Sequence, residues 1–163
     1  MRIGVLSDTH IPTRARQLPP VLFEIFSDVD LLLHAGDLVT ENVLLDLQTL
    51  APLEAVAGNM DPPHLKQRLG SKKILEVAGF RLGLTHGHQG EDRSKTPQRA
   101  LAEFAADQVD CVIFGHSHQP YLETINGVLL FNPGSPTDHR REPRPSCGLL
   151  TLDDRVTAEI IYL

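Results

Sequence analysis

Apolar residues fall along the chain in short blocks, each closed by a cluster of small and polar residues. Arg2 to Leu6 is one such block, closed by Ser7-Asp8-Thr9-His10, and reads as a buried strand. Pro12, Pro19 and Pro20 make the next stretch a loop, with Pro20 placed to start a helix whose apolar spacing runs from Val21 to Phe26. Asp30 to His34 is a second strand, closed by Ala35-Gly36-Asp37. Glu41 to Leu50 sets Val43, Leu44, Leu47 and Leu50 on one helical face, with Thr40 as the expected N-cap. Leu53 to Ala57 is a third strand, running into Gly58-Asn59-Met60-Asp61 and the Pro62-Pro63 break. This alternation predicts parallel strands joined by crossover helices.

Beyond the prolines the period shortens. Lys73 to Val77 and Phe80 to Thr85 flank Ala78-Gly79 as a hairpin, ending at His86-Gly87-His88. Gln89 to Thr96 reads as polar loop and Pro97 to Asp107 as an amphipathic helix. Cys111 to Phe114 is a strand that presents Gly115-His116-Ser117-His118. Tyr121 to Ile125 and Val128 to Phe131 form a hairpin about Asn126-Gly127, and Asn132-Pro133-Gly134-Ser135 is a tight turn. Thr137 to Ser146 is a polar loop, and Gly148 to Leu152 with Val156 to Tyr162 close the chain as a last hairpin. A parallel first half and an antiparallel second half predict two packed sheets covered by helices, within one domain over residues 1–163.

Composition changes this picture little. At 163 residues with 41% hydrophobic content the chain can bury its own core. No apolar run is long enough to span a membrane, and the apolar start is too short for a signal peptide. Cys111 and Cys147 lack metal-type spacing and are expected as buried reduced thiols, which favours a cytoplasmic location. A net charge of −6 argues against stable nucleic-acid binding. It leaves a phosphate-bearing substrate open, because bound cations reverse the local sign. A homo-oligomer also stays open.

The chemistry lies in the strand-closing clusters. Each ends an apolar run, where ligands bind in open α/β sheets. Together they hold Asp8, His10, Asp37, Asn59, His86, His116 and His118. Any one of these alone is ordinary turn chemistry. As a set of two carboxylates, one amide and four imidazoles they exceed the needs of a single divalent ion. Without thiolates they suit Mn, Ni, Fe, Co or Zn, with Mn the first expectation. If one carboxylate bridges, each of two ions receives four protein ligands and keeps positions open for water and substrate.

The ordered blocks Asp8-Thr9-His10, Gly36-Asp37, Gly58-Asn59-Met60-Asp61, His86-Gly87-His88 and Gly115-His116-Ser117-His118 resemble the calcineurin-like metallophosphoesterase superfamily. Their context resembles its small single-domain YfcE-type phosphodiesterase branch. The resemblance spans essentially the whole chain. It implies an α/β fold, a four-layer α/β/β/α sandwich of two mixed sheets flanked by helices, with a dinuclear metal site at the strand ends. It implies that Asp8, His10, Asp37 and His118 hold one metal while Asp37, Asn59, His86 and His116 hold the other. The implied reaction is hydrolysis of a small phosphoester, by in-line attack on phosphorus of a hydroxide bridging two divalent metals.

One position departs from the superfamily pattern. Many members have histidine where this chain has Met60, which cannot protonate a leaving oxygen. The chain is therefore expected to favour good leaving groups or to recruit another donor such as His88. Asp37, Asn59, His86, His116 and His88 are the expected catalytic set. Asp61 is expected to orient a ligand or its loop, and His34 to be structural. His64 and His139 are expected to be solvated. Arg140, Arg141 and Arg144 form a basic run, either a solvated loop or a phosphate contact, while Asn132 and Ser135 are expected to serve their turn or, from a turn beside the site, to touch it. The rival is a non-catalytic interaction scaffold. The retromer scaffold subunit resembles this chain through His86-Gly87-His88-Gln89 and Asn132 to Ser135 but departs at the Gly-Asn block, which this chain keeps. A phosphomonoesterase or a cyclic-nucleotide hydrolase would use the same ligands.

Overall fold

The computed structural model describes residues 1–90 and 92–163. Glu91, inside the expected Gln89 to Thr96 loop, lies outside the described residues. Ten strands are described: β1 (Arg2–Leu6), β2 (Leu31–His34), β3 (Leu53–Ala55), β4 (Lys72–Val77), β5 (Phe80–Thr85), β6 (Cys111–Ile113), β7 (Tyr121–Ile125), β8 (Val128–Asn132), β9 (Ser146–Leu152) and β10 (Val156–Tyr162). The helices are α1 (Val21–Ile25), α2 (Asn42–Gln48), α3 (Pro63–Leu69) and α4 (Thr96–Glu103), with a 3-10 turn at Arg93–Lys95.

The strands form two five-stranded sheets, ordered β10-β9-β1-β2-β3 and β4-β5-β6-β8-β7. β1, β2 and β3 are parallel, and the closing hairpin joins them through antiparallel pairing of β9 with β1. The second half is not antiparallel as its hairpins suggest. β6 inserts between the two hairpins and pairs in parallel with both β5 and β8. A hairpin signal is local and says nothing about what lies beside its outer edge, so this pairing left no trace in the sequence.

Alternation along the strands sorts the core into three layers. Leu6 and Leu32 face outward from the first sheet onto Leu22, Phe26, Val43, Leu44, Leu47 and Leu65. Ile3, Val5 and Leu33 point the other way and meet Leu82, Leu84, Ile113 and Phe131 between the sheets. Val112, Phe114 and Leu130 cover the far face of the second sheet with Ala100 and Phe104. The result is a helix–sheet–sheet–helix sandwich of two mixed sheets.

The helix ends differ from expectation in detail. α2 starts at Asn42 with Glu41 in the cap position, and Thr40 Oγ1 accepts only the Asn42 amide, at 3.5 Å. α4 stops at Glu103, four residues before Asp107. α3 follows the Pro62-Pro63 break, with Pro63 in its first turn, where a missing N–H costs nothing. Its one fully buried side chain, Leu65, is too little periodicity to announce a helix.

Candidate metal centre

Two parallel triplets, β1-β2-β3 and β5-β6-β8, end at one edge of the sandwich. The first sheet delivers Asp8, His10, Asp37 and Asn59 there, and the second delivers His86, His88, His116 and His118. The chain must turn sharply after each strand to aim these side chains inward. Asp8, His10, Asp37, His116 and His118 all take positive φ, from 45 to 68°. Each such residue costs roughly 1–2 kcal/mol of backbone strain, and five together at one sheet edge mark a site held against local preference. Gly115 makes the close approach possible: a Cβ there would overlap Ser7 Oγ and lie 2.7 Å from Asp8 Oδ2.

The side chains form two tight clusters, Asp8 with His10 and His118, and Asp8 with Asp37 and His86, all buried. Asp8 Oδ1 lies 3.2 Å from His118 Nε2, 3.7 Å from His10 Nε2 and 3.9 Å from His86 Nε2. Asp37 Oδ2 lies 3.2 Å from His86 Nε2 and 3.6 Å from His10 Nε2. Both carboxylates therefore face ligands of both clusters. Asn59 and His116 line the cavity above, which holds about 470 Å³ and also borders Met60, Arg14, Arg93 and Arg140. The ring of His116 stands 5.3 Å from that of His86, nearly edge-on.

The remaining atoms of each ligand are committed elsewhere. Asp8 Oδ2 accepts from Ser7 Oγ at 2.5 Å and from the His116 amide at 2.9 Å. Asp37 Oδ1 accepts from the Met60 amide at 2.7 Å. His86 Nδ1 donates to Ala35 O at 2.7 Å, and His118 Nδ1 donates to Asp138 O. A ring that donates from Nδ1 presents the lone pair of Nε2. Asp8 Oδ1 and His86 Nε2 are consequently buried with no hydrogen-bond partner among the described residues. Leaving such atoms bare costs roughly 1–3 kcal/mol each. Lone pairs converging on one point fit a cation, so the residues present suit divalent metal ions.

Electrostatics agree with a ligand role for the carboxylates. Burial raises the Asp8 carboxyl, but the adjacent rings of His10 and His118 and the charge of His86 hold it well below the usual range. Asp37 is likewise lowered: burial opposes, and the His86 ring and Met60 amide prevail. Burial pulls His86 down, yet Asp37 and Asp8 push its ring up to about 9. Burial and the His86 charge lower His116 to about 4 and lower His88 as well.

Support comes from residues the sequence marked weakly. Asp61, 2% exposed, accepts the amides of Asp37 (2.9 Å), Gly58 (2.7 Å) and Val39 (2.6 Å), which binds the second strand-end loop to the third. Burial and the nearby Asp37 push its carboxyl up, against the pull of those amides. His34 is structural as expected. Its Nδ1 accepts from the Gly36 amide at 3.2 Å, so its Nε2 carries the proton toward Thr9 Oγ1 at 3.1 Å, and burial lowers the ring to about 3. Asn132 and Ser135 do more than serve their turn. Asn132 Nδ2 donates to Gly115 O at 2.9 Å within the second sheet's edge, and Ser135 Oγ donates to Asp8 O at 2.7 Å, tying that edge to the first sheet. Ser7 and Ser135 had no signal in spacing, because a single hydroxyl that binds Asp8 through its carboxylate or its carbonyl needs none. His64 is exposed, while His139 is half-buried against Glu142 O.

A sandwich of two mixed sheets carries two buried Asp/His clusters at its parallel strand ends, the ligand groups that suggest a dinuclear metal site. The chain belongs to the calcineurin-like phosphoesterase superfamily, whose domain matches residues 1–155. It is 45% identical over 99% of its length to a probable metallophosphoesterase of Methanothermobacter thermautotrophicus, covering 92% of that protein. It is 29% identical to a phosphodiesterase of Methanocaldococcus jannaschii, with 99% of each chain covered. Among solved structures, Vps29 of Entamoeba histolytica complexed with zinc superposes with a TM-score of 0.78 at 26% identity, covering 99% of both chains. The chain is thus an enzyme of the metallophosphoesterase type with its Asp/His ligand clusters intact. Among the described residues no helix is long and apolar enough to cross a membrane.

Proposed function

We propose that residues 1–163 form a single-domain, metal-dependent phosphodiesterase. The observation that carries this is the pair of bare, buried atoms, Asp8 Oδ1 and His86 Nε2, in two Asp/His clusters that share Asp8. In this reading Asp8, His10, Asp37 and His118 hold one ion, and Asp37, Asn59, His86 and His116 hold the other. Asp37, whose Oδ2 faces both His10 and His86, would serve both ions. Two bound divalent ions supply an acidified water and neutralise phosphoryl charge. Manganese is the ion to try first, and the O/N ligand set also accommodates Fe, Co, Ni or Zn.

The protein's own part is positioning. Ala35 O fixes the tautomer of His86, Asp138 O fixes that of His118, and Asp61 anchors the loop bearing Asp37. In the overall reaction water adds across one P–O bond: a new O–P bond forms, the ester P–O bond breaks, and a proton ends on the released alcohol oxygen. Met60, 58% exposed on the cavity rim, cannot deliver that proton. His88, half-buried with Nδ1 unpartnered among the described residues, is the nearby candidate. Substrates with good leaving groups suit such a site best, and Met60→His is expected to raise turnover of poor-leaving-group esters. The two buried free cysteines are in keeping with a cytoplasmic location.

The likeness to Vps29 supports a second reading, a non-catalytic scaffold of the same fold, against which the intact ligand clusters weigh. The test is hydrolysis of bis-p-nitrophenyl phosphate, a phosphomonoester and a cyclic nucleotide with each metal in turn, beside Asp37→Asn. Metal-dependent turnover of the diester, lost in that variant, is expected. No turnover with any ion favours the scaffold, turnover of the monoester or cyclic nucleotide alone shifts the substrate class, and full activity in the variant overturns the assigned site.

A further inference from the structure

Resting on that reading, we infer that the preferred substrate carries a second phosphate beyond the scissile one, received by a cavity beside the metal centre. Two cavities adjoin at this edge of the sandwich. The one over the ligands holds about 470 Å³, and a neighbour of about 670 Å³ is lined by Arg93, Ser117, Gln119, His139, Arg140, Arg141 and Glu142. Arg93 and Arg140 line both, so they form the wall that a substrate spanning the two must touch. A single phosphodiester needs only the first cavity.

The charge distribution is contrary to the chain as a whole. The protein carries −6 net, yet the second cavity has three arginines against one carboxylate, Glu142. In the first cavity Asp37 is assigned to metal, and Asp138 already faces Arg14 Nε at 3.4 Å and Arg140 Nε at 3.8 Å. Among the described residues, the ion pairs at this edge engage Arg14 and Arg140 through Asp138 and leave Arg93 and Arg141 aside. The cations are all arginine, whose planar fork matches phosphate oxygens in pairs, where lysine offers only a point charge. Arg140 also holds positive φ, 51°, a strained backbone that keeps it over the shared wall. A second phosphate on the substrate would meet this wall while the scissile group occupies the first cavity. Hydrolysis itself is unchanged: one O–P bond forms, one P–O bond breaks, and the proton goes to the released alcohol.

The matched probes are the dinucleotide ApA and its 5′-phosphorylated form pApA, which differ by one terminal phosphate. With manganese, kcat/KM is expected to be about tenfold or more higher for pApA, the worth of one charge-assisted contact. Arg93→Gln and Arg140→Gln are each expected to shrink that ratio toward one, and the Lys variants to restore it only in part. A second arm needs neither metal nor turnover. Calorimetric titration of EDTA-treated protein with 5′-AMP and with adenosine should show AMP bound at least about tenfold tighter, with binding that weakens as salt is raised. Equal kcat/KM for the two dinucleotides, or equal affinity for AMP and adenosine, overturns the inference. Activity on bis-p-nitrophenyl phosphate with a pApA/ApA ratio of one would do so while leaving the phosphodiesterase reading intact, whereas failure of every ester would strike that reading instead. If neither dinucleotide is cleaved, the AMP titration decides alone.

Discussion

Asp61 offers the sharpest test of how the centre is held, because its contacts can be counted. One carboxylate oxygen accepts the Asp37 and Gly58 amides and the other accepts the Val39 amide, at 2.6–2.9 Å. Asp61→Asn keeps the shape but replaces one acceptor with an NH₂. The better orientation leaves the amide oxygen on Asp37 and Gly58, so the NH₂ then faces the Val39 N–H at 2.6 Å, donor against donor. One hydrogen bond to a charged acceptor is lost, worth roughly 1.5–3 kcal/mol, and the two that remain are weakened by loss of charge. Relief of repulsion between Asp61 and Asp37 offsets part of this. The net expectation is about 3 kcal/mol, roughly a 150-fold change in the folding equilibrium. For a chain of this size that is about 6–12 °C in melting temperature. Urea and thermal unfolding of EDTA-treated protein would measure it free of metal linkage. Metal affinity should fall as well, by the ~10–100-fold typical of residues that orient ligands. A loss below about 1 kcal/mol, or unchanged metal affinity, would refute the claim that Asp61 anchors the loop bearing Asp37.

Three other outcomes follow from the same coordinates. Gly115→Ala places a Cβ into Ser7 Oγ and 2.7 Å from Asp8 Oδ2, so about 1–3 kcal/mol of stability should go together with tight metal binding; calorimetric metal titration matching the parent would contradict this. Burial raises the Cys147 thiol to about 12 and the Cys111 thiol further still, so neither should react with iodoacetamide at neutral pH until the chain is unfolded, as mass spectrometry of the labelled protein would show. His34 is held at about 3 when folded and returns to the ordinary imidazole value of 6.5 when unfolded. A depressed histidine takes up its proton only on unfolding, so its stability is present above the unfolded value and drains as pH falls from 6.5 toward 3. Between pH 7 and 5 this amounts to about 2 kcal/mol, measurable by urea unfolding in EDTA and expected to be absent from the pH dependence of His34→Gln; equal slopes in both proteins would dismiss it.

The ligand blocks were legible because each sits where an apolar run meets a glycine or a turn, and that junction is local. Asp8, Asp37, His86 and His118 could all be named from such junctions. Sheet order was not legible, since β9 pairs with β1 from the far end of the chain and β6 slips between two hairpins. That second fact bears directly on the site. Had β5 and β6 been antiparallel, as the hairpin pattern suggested, His86 and His118 would leave the sheet at opposite edges and could not approach one cluster. The ligand list was thus a better guide to topology than the strand pattern was. Residues that act through individual hydrogen bonds, such as Ser7, Asp61 and Ser135, leave no periodic signature; Asp61 drew notice beside the Gly58-Asn59 block and Ser135 only as part of its turn.

The clusters take Asp8, His10 and Asp37 from one sheet and His86 and His118 from the other. Apolar contacts hold the sheets together along most of their length, whereas at this edge carboxylates of one sheet face imidazoles of the other. Metal ions held there would act as a clasp on the sandwich as well as supply chemistry for the substrate. By linkage, whatever favours the closed seam tightens metal binding by the same factor. A substitution deep between the sheets, at Phe131 or Leu84, would then register as a change in metal affinity at a site it never touches.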